Sequence, residues 1–95
     1  MKLCLVTSKG EKALSFDIKG DAVSIGRSNE NDIQIHRKYV SSNHLKIWEK
    51  EGMFFLKNLG DRNGTKVDGF RVPSGATVEV QKGDPIVIGM SVFCL

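Results

Sequence analysis

Three short polar segments of the sequence carry the residue types that could bind an anion. They are Ile25–Ser28, Val40–His44 and Gly60–Thr65. Arg27 stands in the first segment, and its planar guanidinium can hold two oxygens of one phosphate at once, which a lysine cannot do. The other two segments add serine hydroxyls and an Asn-Gly turn. Because each segment is common by itself, none of the three indicates phosphate binding alone.

The elements that must position these loops are strands. Short apolar or alternating runs are separated by turns rich in glycine, asparagine, aspartate and serine, and no stretch keeps a helical period. Many short strands with close turns are typical of a β-sandwich or barrel. The predicted strands are Lys2–Thr7, Ala13–Ile18, Ala22–Ile25, Asp32–Ile35, His44–Glu49, Phe54–Asn58, Thr65–Val67, Ala76–Val80, Asp84–Ile88 and Ser91–Leu95.

One predicted hairpin has a readable register. A turn over residues 50–53 would pair Ile47 with Leu56 on the core face and Trp48 with Phe55 on the other face. The aromatic pair has two interpretations. It stiffens a solvent-facing surface, or it forms a second surface for a partner.

The composition is that of an ordinary globular domain. Hydrophobic residues make up 40% and charged residues 26% of 95, so we expect one domain over residues 1–95. The net charge of +3 permits an anionic partner without requiring nucleic acid. No apolar run approaches the roughly 20 residues that cross a bilayer, and no signal peptide is recognisable, so no membrane partner is expected.

The motifs of common enzymes and metal sites are missing from the sequence. There is no GxxxxGK[ST], GxGxxG, HExxH or GxSxG pattern. His36 and His44 have no cysteine at ligand spacing, and the paired aspartates fall in predicted turns. We therefore expect a protein that is not an enzyme and has no metal, no cofactor and no small-molecule substrate.

The two cysteines, Cys4 and Cys94, lie near opposite ends of the sequence. Their spacing excludes a CxxC redox motif, and two cysteines are too few for a disulfide scaffold. They are predicted to be buried strand thiols. A disulfide between them stays possible if the first and last strands are neighbours.

Taken in order, the three segments resemble the forkhead-associated (FHA) domain family, over about Val23 to Phe93. The resemblance implies an all-β fold, an eleven-stranded β-sandwich of two sheets with its peptide site on loops at one end. It also implies binding of phosphothreonine in a short extended peptide. The matching residues are Gly26-Arg27, Ser41 through His44, Asn63-Gly64-Thr65, Asp68-Gly69 and the run from Gly83 to Gly89.

The resemblance assigns binding roles to single residues. It makes Arg27 and Ser41 the core phosphate contacts, with Ser42 as a further donor. It gives Asn63 a hydrogen bond to the peptide backbone, and it gives Arg62 a variable contact with phosphate or peptide.

The same resemblance assigns supporting roles. His44 is expected to brace the binding loops, and Thr65 belongs to the same supporting group. Gly26 and Gly64 are expected to be requirements of the backbone and not contacts.

The loop before the serines is basic and has two interpretations. In the family this loop helps to select residues after the phosphothreonine, so Lys38 and Tyr39 are candidate peptide contacts. We expect it to favour acidic or polar residues there, with Tyr39 offering an apolar contact. The alternative is a solvated basic turn.

Three positions depart from the family pattern. Asp61 replaces a common serine and puts a negative charge near an anion site. Asn58 stands where the family commonly has Asp, and Asp68 stands where it commonly has Asn, and both exchanges are compatible with a turn.

Two other functions compete with phosphopeptide binding. A degenerate family member can act as a scaffold that binds a folded partner without phosphate. A small basic β-barrel can bind nucleic acid, but the basic residues here gather in loops and do not interleave with aromatics. We expect a phosphothreonine-containing protein as partner and no nucleic acid. The resemblance suggests a cytoplasmic setting downstream of a Ser/Thr kinase. A monomer is the default expectation for the isolated domain, because the sequence shows no coiled-coil or helix interface.

Overall fold

The computed structural model describes residues 2–6, 12–17, 20, 22–60 and 64–95. Within these ranges all regular elements are strands, and no helix is long and apolar enough to cross a bilayer. The strands are β1 Lys2–Val6, β2 Lys12–Asp17, β3 Ala22–Gly26, β4 Ile33–Gln34, β5 Leu45–Lys50, β6 Met53–Asn58, β7 Thr65–Val67, β8 Phe70–Arg71, β9 Thr77–Val80, β10 Ile86–Ile88 and β11 Ser91–Cys94.

The strands form two sheets, which confirms the predicted all-β sandwich with eleven strands. The six-stranded sheet has the order β2-β1-β11-β10-β7-β8, and the five-stranded sheet has the order β4-β3-β5-β6-β9. The pairing of β3 with β4 is parallel, while the other pairings are antiparallel.

The core lies between the two sheets and follows from the alternation of side chains along each strand. Most inward positions carry aliphatic residues or phenylalanine, and each fully buried apolar side chain contributes roughly 1.5–3 kcal/mol. The five-stranded sheet contributes Val23, Ile25, Leu45, Ile47 and Leu56, and the six-stranded sheet contributes Leu3, Ile86, Ile88 and Phe93, all with no exposed area.

The hairpin of β5 and β6 has the predicted register. Ile47 is opposite Leu56 and Trp48 is opposite Phe55. The turn residues Glu51 and Gly52 have φ values of 54° and 79°, the left-handed conformations that a tight hairpin turn of this hand requires. The alternation of apolar residues was therefore sufficient to fix the pairing.

Sequence analysis missed the strand β8. It has only two residues, Phe70 and Arg71, and Phe70 is 75% exposed, so no apolar alternation marks it. It pairs with β7 through a turn in which Asp68 and Gly69 both have positive φ, at 51° and 83°. The interpretation of Asp68 as a turn residue is confirmed.

The first and last strands are neighbours. Cys4 of β1 lies directly opposite Cys94 of β11, and both residues are thiols. Cys4 is buried, as predicted, whereas Cys94 is only half-buried. The first and last strands are thus neighbours, which is the arrangement that a disulfide between the two cysteines would need.

Candidate phosphopeptide-binding site

Arg27 and Ser41 lie side by side at one end of the sandwich. β3 ends at Gly26, and the backbone N–H of the next residue, Arg27, donates to the carbonyl oxygen of Ser41 at 2.9 Å. The N–H of Ser28 donates to the carbonyl oxygen of Ser42 at 3.1 Å. Two of the three segments are therefore joined by their backbones.

Gly26 is needed at this junction because of space. A Cβ atom on Gly26 would overlap the carbonyl oxygen of Ser42, which sits against the strand. The side-chain amide of Asn31 donates to the same oxygen at 2.7 Å and to the carbonyl oxygen of Ser28 at 3.0 Å. Asn31 was not singled out from the sequence, since nothing in the pattern marks a loop asparagine that joins two loops.

The third segment begins at Gly60, which lies against Ser41 and so brings this segment to the same end of the sandwich. The N–H groups of Leu59 and Gly60 both donate to the carbonyl oxygen of His44, at 2.8 and 3.0 Å. A Cβ atom on Gly60 would lie 2.6 Å from Cβ and 2.8 Å from Oγ of Ser41, so only a glycine fits. The predicted site residues Arg62 and Asn63, together with Asp61, lie outside the described residues.

A series of hydrogen bonds connects the backbone of Ser41 to polar side chains in the interior of the sandwich. The Ser41 N–H donates to Nδ1 of His44 at 3.0 Å, and Nε2 of His44 is 2.8 Å from Oγ1 of Thr65. Because Nδ1 accepts a hydrogen bond, the neutral ring carries its proton on Nε2 and donates to Thr65. The Thr65 hydroxyl then donates to Oδ1 of Asn58 at 3.1 Å.

Asn58 completes this chain. Its Nδ2 donates to the carbonyl oxygen of Val72 at 2.9 Å, and the side chains of His44, Thr65 and Asn58 have no exposed area. Asn58 is the last residue of β6, as the predicted strand had it, and its buried side chain bonds to groups inside the fold. An aspartate at this position could not donate to the carbonyl oxygen of Val72. This explains why the chain has asparagine where the family commonly has aspartate.

The charged groups of the site face outward. The Arg27 side chain is half-buried and makes no hydrogen bond or ion pair with any residue in the described ranges. Ser41 is half-buried and Ser42 is exposed. The basic residues Arg37 and Lys38 of the following loop are also exposed, so this end of the sandwich presents several cations to solvent.

Tyr39 packs against the turn between β10 and β11. Its hydroxyl is 2.9 Å from Oγ of Ser91, and its ring covers Gly89, which has a φ of +58°. Gly64, with a φ of +83°, precedes β7 on the same end of the sheet, since Thr65 pairs with Ile88. The turn between β10 and β11 therefore belongs to the same end as the three segments.

The chain belongs to the FHA domain family, because a family model of that domain matches residues 23–89. FHA domains are binding modules known for phosphothreonine-dependent interactions.

Individual proteins agree with this assignment. The chain is 36% identical over 86 residues to the oxoglutarate dehydrogenase inhibitor of Corynebacterium glutamicum, covering 90% of this chain and 58% of that protein. It is 27% identical over 90 residues to the FHA domain-containing protein FhaB of Mycolicibacterium smegmatis, covering 94% and 57% respectively. The chain thus spans a little over half the length of these curated relatives.

A solved structure supports the fold. The N-terminal FHA domain of S. cerevisiae Rad53p, in complex with a phosphothreonine peptide, superposes with a TM-score of 0.78 at 18% identity. The superposition covers 100% of this chain and 94% of the yeast domain.

Proposed function

We propose that the chain binds an extended peptide through a phosphothreonine, with Arg27 and Ser41 as the central phosphate contacts. The observation that carries this proposal is the backbone bond between Arg27 and Ser41, beside a guanidinium with no partner among the described residues. The bound phosphothreonine peptide of the Rad53p domain supports the proposal by likeness of fold.

The chemistry of the two side chains fits a phosphate. A phosphothreonine brings about −1.5 to −2 charges and three acceptor oxygens at neutral pH. The guanidinium of Arg27 can hold two of these oxygens, and the hydroxyl of Ser41 can donate to the third. Because backbone bonds and Gly60 fix the position of Ser41, this residue loses little conformational freedom on binding.

The remaining contacts complete the proposal. The exposed Ser42 adds a hydroxyl at the rim, while Asn63 holds the peptide backbone and Arg62 adds a second cation. Lys38 and the ring of Tyr39 face the residues after the phosphothreonine, where the cations favour acidic or polar side chains. The chain acts as a monomer and takes a partner that a Ser/Thr kinase has phosphorylated.

Burial of the threonine methyl group accounts for only part of a preference for phosphothreonine over phosphoserine. The additional methyl group of phosphothreonine is worth about 0.8 kcal/mol when buried, which corresponds to a few-fold difference in affinity. A larger preference would require that the protein also restrict the conformation of the phosphorylated side chain.

The test compares a degenerate phosphothreonine peptide library with matched phosphoserine and unphosphorylated libraries, for the parent chain and for Arg27→Ala. The substitution should cost about 2–5 kcal/mol of binding free energy, enough to abolish micromolar binding. Lys82→Ala is the matched control, because Lys82 is an exposed cation in the turn before β10, at the opposite end. Binding that does not depend on the phosphate, or that survives in Arg27→Ala, would overturn the proposal.

A further inference from the structure

The outer face of the five-stranded sheet carries an aromatic and basic surface. Trp48 and Phe55 stack there with ring centroids 5.9 Å apart and planes at 26°. In the next row of the sheet, Lys46 of β5 lies directly opposite Lys57 of β6. Leu59, 45% exposed, follows Lys57 on the same face. We name these five residues the aromatic–lysine face.

The two lysines are an unfavourable pair in the isolated chain. Both are exposed, and neither forms an ion pair within the described part of the chain. Their outer neighbours across the sheet are Thr77 and Ser24, and the N–H and hydroxyl of Ser24 both donate to the carboxylate of Asp32, which forms no ion pair with either lysine. Like charges directly opposite on a sheet repel, so an anion lying between them would remove this cost.

A groove gives the surface room for a ligand. It has a volume of about 600 Å³. Its charged side chains are three lysines and one glutamate, and its apolar floor includes the indole of the tryptophan. The lining residues are Ala22, Lys46, Trp48, Glu49, Lys50, Lys57 and Leu59.

We propose that the aromatic–lysine face docks an acidic, extended segment of a protein partner that also carries an apolar side chain. The carboxylates would lie between Lys46 and Lys57, and the apolar side chain would lie on Trp48 and Leu59. The excess of positive charge in the groove is complementary to such a segment. This surface is distinct from the phosphate site and does not depend on it.

The aromatic geometry favours a protein over single-stranded nucleic acid. Nucleic acid binders present separate aromatic rings on which successive bases stack. Here Trp48 and Phe55 stack on each other with an offset, so part of each ring is already covered. An apolar side chain of a protein partner can pack on the uncovered ring surface, because it does not need a series of separate aromatic rings.

The experiment uses Trp48 as its own reporter, because it is the single tryptophan of the chain. The probe is a short synthetic peptide of glutamates and leucines, and its control has glutamine in place of each glutamate. We expect the acidic peptide to change the tryptophan fluorescence saturably and the neutral peptide to leave it unchanged. The affinity should fall as salt is added.

Variants separate a specific site from general attraction. The double substitution Lys46→Glu with Lys57→Glu should weaken the acidic peptide about tenfold or more. The matched control, Lys66→Glu with Lys82→Glu, changes the net charge equally at exposed positions outside the groove and should bind as the parent does. Arg27→Ala should also bind the acidic peptide as the parent does.

Each opposite result would overturn the docking proposal. If the neutral peptide bound as tightly as the acidic one, the lysines would have no role in binding. If the matched control weakened binding as much as the Lys46 and Lys57 double variant, the attraction would come from net charge alone. Loss of binding in Arg27→Ala would mean that the peptide occupies the phosphate site. Tighter binding of oligothymidylate than of the acidic peptide, measured by the same fluorescence, would identify a nucleic-acid surface instead.

Discussion

The end of the sandwich that carries Arg27 and Ser41, here called the phosphate end because we propose that it binds phosphate, and the aromatic–lysine face are built in different ways. The phosphate end brings together residues from Gly26 to Thr65, joined by backbone bonds between loops and by buried polar side chains. The aromatic–lysine face comes almost entirely from the single hairpin of β5 and β6, whose outward positions alternate with core positions.

This difference predicts where a substitution will affect residues far from it in the structure. At the phosphate end, the position of Ser41 depends on His44, Thr65 and Asn58, which no ligand could reach. On the aromatic–lysine face, exposed side chains stand on a ladder that does not depend on them. Changes below the phosphate site should therefore alter both folding and binding, whereas changes on the face should remain local.

The largest expected effect is that of His44→Ala. The change removes the acceptor of the Ser41 N–H and the partner of Thr65 and leaves a cavity, so the free energy of unfolding should fall by about 3 kcal/mol. Urea denaturation measures this loss. The control His36→Ala removes an exposed histidine and should leave the midpoint in place. Equal stability of the two variants would show that the buried chain of hydrogen bonds does not support the fold.

A smaller effect is expected for Gly60→Ala, which tests the phosphate end by steric pressure. The new Cβ would push against Ser41, so the affinity for phosphothreonine peptides should fall about tenfold, with about 1–3 kcal/mol of stability lost. The control is Gly52→Ala. Gly52 has a φ of 79°, which strains an alanine, but an added Cβ would meet no other atom, so this change should cost about 1 kcal/mol of stability without changing peptide affinity. Titration calorimetry measures the affinities, and unchanged binding in Gly60→Ala would disprove the steric link to Ser41.

The smallest effect is expected on the aromatic–lysine face. Lys57→Glu replaces a like-charge pair across the strands by an opposite-charge pair and should raise the free energy of unfolding by about 0.5 kcal/mol at low salt. The neutral variant Lys57→Gln should give about half of this gain. Thermal denaturation at low and high salt measures both, and a destabilised Lys57→Glu would contradict the repulsion inferred between Lys46 and Lys57.

The sequence predicted the face better than the phosphate end, for a physical reason. Alternation along β5 and β6 determines which side chains point outward, so the pairing of Trp48 with Phe55 could be read directly. The junction of Arg27 with Ser41 depends on contacts between loops far apart in the chain. Only the resemblance to a family indicated it.

Some features had no readable signal. Asn58 was placed at the end of a predicted strand, but the burial of its side chain depends on how the two sheets pack. The need for glycine at position 60 is set by the distance to Ser41, which no local pattern records. The strand β8 is too short for any periodicity to mark it.

The antiparallel pairing of β1 with β11 has a consequence for how the domain can be attached to other polypeptides. β1 runs towards the turn at Gly89, so its beginning and the end of β11 lie side by side at the end opposite the proposed phosphate site. Neighbouring strands are about 4.8 Å apart, a gap that most surface loops of a host protein can span. Inserted into such a loop, the domain would present its binding loops away from the host.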